Sequence, residues 1–98
     1  MDNQQQHILV INPNSDESVT EGMIRELKGF HFSEGPRIEC VSLSDGPFGI
    51  ESQADIEAVT LPLRKMVSES RNVDAFVIAC YSDPGLHVCR EASEKPVF

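Results

Sequence analysis

Basic side chains are scarce: Lys and Arg total 8 against 16 Asp and Glu, and the formal net charge is -8. A surface of that sign repels phosphate backbones, so nucleic acid is not an expected partner. No stretch reaches the roughly 18 consecutive apolar residues of a membrane span. Met1 to Gln6 is polar and lacks the basic-then-apolar order of a signal peptide, so a cytoplasmic protein with no membrane partner is expected. Cysteine is limited to Cys40, Cys80 and Cys89. An odd count without a secretory signal argues against a disulfide framework. No CxxC pair occurs, and His7, His31 and His87 stand apart from any metal-ligand spacing, so no metal site is expected. Neither GxGxxG nor GxxxxGK[ST] follows the first apolar run, which disfavours the nucleotide-binding domains built on those loops.

What the 98 residues do contain is an alternation of two periodicities. Ile8-Leu9-Val10-Ile11 is a short apolar run ending at Asn12-Pro13, the pattern of a strand buried on both faces. Val19, Met23, Leu27 and Phe30 then recur at helical spacing, with Asn14 or Ser15 placed to cap the helix. Arg37 to Leu43 reads as a second, weaker strand, and Ser44 to Glu51 as an irregular loop around Asp45-Gly46-Pro47. Ser52-Gln53-Ala54-Asp55 resembles a capping box. Ile56, Val59, Leu63 and Val67 continue as a helix that Pro62 should kink or split. Val73 to Cys80 is a third strand. A tight turn and a helix from about Pro84 follow, with proline at a favoured first position. Pro96-Val97-Phe98 looks like the start of a fourth strand, on which the chain stops.

Strands alternating with helices imply βαβ units and a parallel α/β sheet in one domain, residues 1–98. Right-handed crossovers favour a flavodoxin-like order, 2-1-3-4, with helices on both faces. Ligands bind such sheets at the carboxyl ends of strands where the order reverses, here between strands 1 and 3. Two loops should meet there: Asn12-Pro13-Asn14-Ser15 and Cys80-Tyr81-Ser82-Asp83.

Cys80 ends a buried strand just before the expected helix. Helix N-terminal amides would favour its thiolate, a usable base near neutral pH. The same position suits a small core thiol. Asn14 and Ser15 offer polar groups and helix amides for a carboxylate or imide oxygen, or they simply cap. Ser82 and Asp83 are equally readable as caps, and Glu51 as a solvated loop acid. Cys40, mid-strand, and Cys89, inside the last helix, read as structural, and His87 as a surface residue. Nine residues separate Cys89 from Cys80, about 13 Å along a helix, too far for both thiols to flank one carbon.

Three stretches together resemble a known family. Ile8 to Ser15, Asp45-Gly46-Pro47 through Ser52, and Asp74-Ala75-Phe76-Val77-Ile78-Ala79-Cys80 with Ser82-Asp83-Pro84-Gly85-Leu86 are similar to aspartate/glutamate/hydantoin racemases, the hydantoin branch above all. The likeness runs from His7 to Phe98. It implies one lobe of an enzyme with two similar α/β lobes, each contributing a cysteine to a small-molecule substrate held between them, with no cofactor. Cys80 matches the first catalytic cysteine. Asn14, Ser15, Tyr81 and Ser82 match positions that hold the substrate's polar groups. One thiolate would take the proton from a carbon beside a carbonyl, and a thiol on the opposite face would return one, inverting the centre. The second cysteine lies outside these residues, so the chain alone is expected to be inactive, and its open edge and uncovered lobe interface would favour self-association. Two alternatives are a maleate isomerase or arylmalonate decarboxylase relative, and a non-catalytic module that binds small carboxylates.

Overall fold

The computed structural model describes residues 5–98. Three parallel strands form a sheet in the order β2-β1-β3: β1 (His7–Asn12), β2 (Arg37–Ser42) and β3 (Ala75–Ile78). β1 pairs with β2 from His7↔Arg37 to Asn12↔Ser42, and with β3 from Ile8↔Ala75 to Ile11↔Ile78. The expected fourth strand lies in its expected place but is a single parallel bridge, Phe76↔Val97, rather than a ladder. Pro96 offers only a carbonyl, which accepts from Phe76 N at 2.9 Å, and Phe98 N donates to Phe76 O at 2.9 Å.

The sheet face carrying Leu9, Ile11, Phe76 and Ile78 is fully covered. α2 (Gln53–Glu69) lays Val59, Leu63 and Val67 on it, and α3 (Leu86–Ala92) adds Cys89; all of these are buried. Completely burying a side chain such as Leu63 contributes roughly 1.5–3 kcal/mol. α2 starts as the sequence suggests: Ser52 Oγ accepts from Asp55 N at 3.1 Å, while an Asp55 carboxylate oxygen accepts from Glu51 N at 2.8 Å. Pro62 does not split it; the helix runs unbroken through the proline.

The opposite face is covered by α1 (Glu17–Glu26), which packs over β2 and leads into a 3-10 turn, Lys28–Phe30. Its predicted apolar stripe is not its buried side. Val19 is 41% and Phe30 58% exposed, and the one fully buried residue of α1 is Thr20. The cap is Asp16, whose carboxylate accepts from Ser18 N at 3.0 Å, and not Asn14 or Ser15. An apolar trough of about 510 Å³ stays open beside α1, lined by Val10, Val19, Met23, Leu27 and Ala79. No helix among the described residues is long and apolar enough to cross a membrane.

Candidate functional site

β1 and β3 are neighbours, so their carboxyl ends share one edge of the sheet. Ala79 N donates to Ile11 O at 2.8 Å, which carries the pairing one residue past β3 and sets the β1–α1 turn and the Cys80 turn side by side. This is the reversal point anticipated from element order.

β3 ends earlier than the sequence suggested, at Ile78, because Cys80 N turns back onto Ile78 O at 3.1 Å. Asp83 N then closes a turn onto Cys80 O at 3.0 Å. Asp83 (φ 49) and Gly85 (φ 68) both occupy the left-handed region, which redirects the chain before α3 begins at Leu86. Pro84 therefore sits buried in the turn, not in the helix. Residues 81–85 separate Cys80 from α3, a helix of 7 residues, so the amides of that helix give no argument for a special thiol. Nor do Ser82 and Asp83 cap it: its N-cap is Gly85, without a side-chain bond.

What stands next to the Cys80 sulfur instead is the Ser82 hydroxyl, at 3.4 Å. A cleft of about 450 Å³ lined by Ala79, Cys80, Tyr81 and Asp83 opens there, with the Tyr81 side chain projecting fully into solvent. Among the three cysteines, Cys80 is half-buried at a strand end, whereas Cys89 is completely buried under α2. Burial pushes the Cys89 thiol above its ordinary value of 9.0, and nearby Arg64 offsets part of that rise. Burial also raises the Cys40 thiol, and the Glu39 carboxylate adds to it. Both keep their protons where a base would need to lose one. His87 and Glu51 are exposed, as expected of surface residues.

On the other side of the edge, the β1–α1 turn is tied down by its own backbone. Ser15 N donates to Pro47 O at 2.9 Å, and Asn14 O accepts from Leu43 N at 3.2 Å. Asp16 N donates to Asn14 Oδ1 at 2.9 Å. The amides of Ser15, Asp16 and Ser18 are thus consumed within the protein and do not stand free for a carboxylate. The Asp45-Gly46-Pro47 loop is the strut of this arrangement. A Cβ on Gly46 would come within 2.9 Å of Pro13 O, so only glycine allows that approach.

One residue of this region escaped the sequence reading. Asn12, 1% exposed at the end of β1, donates from Nδ2 to Asn14 Oδ1 at 2.7 Å, Thr20 Oγ1 at 3.1 Å and Asp16 O at 3.3 Å. Thr20 in turn bonds the Ser42 hydroxyl on β2. A polar residue closing an apolar strand was the available signal, but it read as the start of a turn.

Residues 8–98 match the family model described as Asp/Glu/Hydantoin racemase. The chain is 44% identical over 94 residues to a hydantoin racemase of Pseudomonas sp. (strain NS671), covering 92% of this chain and 36% of that protein. It is 38% identical over 100 residues to a hydantoin racemase of Rhizobium meliloti, covering 94% and 39%. Among solved structures, the allantoin racemase from Klebsiella pneumoniae superposes with a TM-score of 0.86 at 31% identity, over 96% of this chain and 39% of that one. The chain thus spans well under half the length of these relatives. With the family model matched along nearly its whole length, the chain belongs to the Asp/Glu/hydantoin racemase family.

Proposed function

We propose that this chain is the lobe of a cofactor-independent racemase that brings Cys80 to one face of a hydantoin- or allantoin-like substrate. The observation that carries the reading is the placement of Cys80 beside the Ser82 hydroxyl, at the shared carboxyl edge of β1 and β3. In a 5-substituted hydantoin the hydrogen on C5 lies next to a carbonyl, so its removal leaves charge on an enolate oxygen. Cys80 thiolate takes that hydrogen as a proton, and donors at the β1–α1 and β3–α3 turns, Asn14, Ser15, Tyr81 N–H and Ser82, bind the polar rim and the developing oxyanion. A second acid on the opposite face returns a proton. That group belongs to a complementary lobe, since Cys89 is enclosed in the core and Cys40 lies mid-strand on β2. On this reading the 98 residues alone do not racemise.

The test joins this chain to the complementary lobe of the Pseudomonas relative and follows deuterium exchange at C5 of each enantiomer of 5-methylhydantoin by NMR. Exchange that disappears in Cys80→Ser supports the proposal. Exchange indifferent to Cys80→Ser, or a folded hybrid without exchange, overturns it. Isomerisation of maleate or release of CO2 from an arylmalonate would move the chain to another branch of the fold.

A further inference from the structure

The buried carboxamide of Asn12 is not used by the chemistry above, yet it is the most heavily bonded side chain near the site. Backbone groups settle which way it faces. Asn14 N has only a proton to give, and it donates to Asn12 Oδ1 at 3.2 Å; Asp16 O can only accept, and it faces Asn12 Nδ2. The same logic fixes Asn14. Asp16 N must donate, so the Asn14 atom it meets at 2.9 Å is the amide oxygen, and that oxygen also receives Asn12 Nδ2. Both oxygen-directed bonds point inward. No buried side-chain nitrogen or oxygen among the described residues lacks a partner, and none of the bonds formed by Asn14 uses its Nδ2. That NH2 group is therefore open to solvent.

We propose that Asn12 is a positioning residue for the racemase reaction: it locks the Asn14 carboxamide with oxygen inward and NH2 outward, as a fixed donor to a substrate carbonyl or enolate oxygen. The role of Asn14 toward substrate rests on the function proposed above; the locking itself does not. Asn12 is held in turn by Thr20, which is anchored to β2 through Ser42, so the orientation of a loop donor is set by a chain of side chains crossing from β1 through α1 to β2. A donor that cannot rotate needs no reorganisation as the oxyanion forms. It also discriminates: a substrate must present an acceptor to it, not a ring N–H.

The test uses the 98-residue chain labelled with 15N. The side-chain NH2 of Asn14 should show heteronuclear NOE values near those of the backbone, whereas exposed Asn72 serves as the mobile reference. In Asn12→Leu, with core methyl signals unchanged, the Asn14 value should fall toward that of Asn72, the bond from Asp16 N being its one remaining tie. Thr20→Val, which removes one bond to Asn12 and none to Asn14, should give an intermediate value and keeps the test alive where Asn12→Leu does not fold. Unchanged order of Asn14 in a folded Asn12→Leu or Thr20→Val chain overturns the proposal. So do NOEs placing the Asn14 NH2, rather than its oxygen, against Asp16 N–H. Titration with 5-methylhydantoin separates the two readings. Shifts at both Cys80 and the Asn14 NH2, reduced at least twofold at Asn14 in Asn12→Leu, support both. Shifts at Cys80 without Asn14 overturn the positioning role alone. No shift at either counts against the racemase reading, while the NOE comparison still decides the lock.

Discussion

The thiol of Cys80 and the hydroxyl of Ser82 lie 3.4 Å apart within the turn that follows β3. Because neither residue caps α3, the hydroxyl has no competing structural duty there. It can donate to the sulfur whenever the sulfur carries charge. A hydrogen bond to a charged partner is worth about 1.5–3 kcal/mol. Ser82→Ala should therefore lower kcat/KM for C5 exchange by about tenfold to a hundredfold in the two-lobe hybrid. Thermal stability should stay close to wild type. Equal exchange rates in the two proteins would remove Ser82 from the mechanism.

The other two thiols should be the less reactive ones. Burial raises both, Glu39 adds to the effect at Cys40, and Arg64 moderates it at Cys89. Iodoacetamide at pH 8, read by peptide mass mapping, should label Cys80 first and Cys89 last. Linkage gives a second check. The folded-state value of Cys89 lies above the unfolded 9.0, so the folded protein holds that proton longer. Stability from this group is complete below pH 9.0 and is lost as pH rises through the folded value. Denaturant melts between pH 8 and 10.5 should show a shallower alkaline decline in Cys89→Ala than in the wild type. Parallel slopes would mean that Cys89 is not desolvated.

Leu63 has no exposed surface and lies at the centre of the only fully covered sheet face among the described residues. Leu63→Ala should cost about 2–5 kcal/mol, through lost transfer free energy and the cavity left behind. Against a total stability of about 5–15 kcal/mol for a small domain, that is a large share, and the urea midpoint should fall clearly. Leu61→Ala, two positions from both Val59 and Leu63 and 68% exposed, should change stability by less than about 0.5 kcal/mol. Urea melts of the pair would expose any error in the assigned helix face.

Where hydrophobic periodicity decides the structure, the residues are readable in order. Ile8 to Ile11 form β1, and Val59, Leu63 and Val67 form the buried stripe of α2 at the expected spacing. The same rule misdirects at α1. That helix is fixed by Thr20 reaching Asn12 and Ser42, a polar contact that no hydrophobic pattern reports, so Val19, Met23 and Leu27 are left bordering an open trough. The turn after Cys80 is hidden for another reason. Two successive departures into the left-handed region, at Asp83 and Gly85, delay α3, whereas Pro84 taken alone reads as a helix start. The meeting of the Cys80 and Asn14 turns at the carboxyl edge is legible from element order; the direction in which Asn14 faces depends on bonds from Asp16 N and from Asn12 Nδ2, with Asn12 itself held by Thr20.

Gly46 provides a test of the strut behind the β1–α1 turn. A methyl group there meets Pro13 O at 2.9 Å, Leu43 O at 3.1 Å and the Leu43 side chain at 3.2 Å. Two of these three neighbours are backbone atoms, which cannot rotate away. Gly46→Ala should cost about 1–3 kcal/mol through overpacking. Because Ser15 N is held by Pro47 O, the disturbance should appear in hydrogen exchange at Ser15 before it appears at the β1–β3 ladder. Uniform exchange changes across the sheet would show that the loop is not a separable support.

Asn14→Asp separates the structural half of that side chain from its outward half. The inward oxygen is retained, so the bonds from Asn12 Nδ2 and Asp16 N survive, and the second oxygen replaces the NH2. Stability should change by less than about 1 kcal/mol, since the group that turns negative lies near the positive end of α1 and remains open to solvent. Turnover should suffer far more. The position that would donate to a forming enolate oxygen now opposes it with an acceptor of the same sign. Removal of one such donor costs about a hundredfold to a thousandfold in kcat, and reversal should cost no less. Asn14→Ala loses the donor and the inward oxygen together, so it should lose stability as well as turnover. Parallel urea melts and C5-exchange assays of the two variants in the hybrid distinguish these patterns. Equal losses of stability in both would mean that the inward bonds do not hold the turn, and full turnover in Asn14→Asp would mean that the outward NH2 does not touch the reacting oxygen.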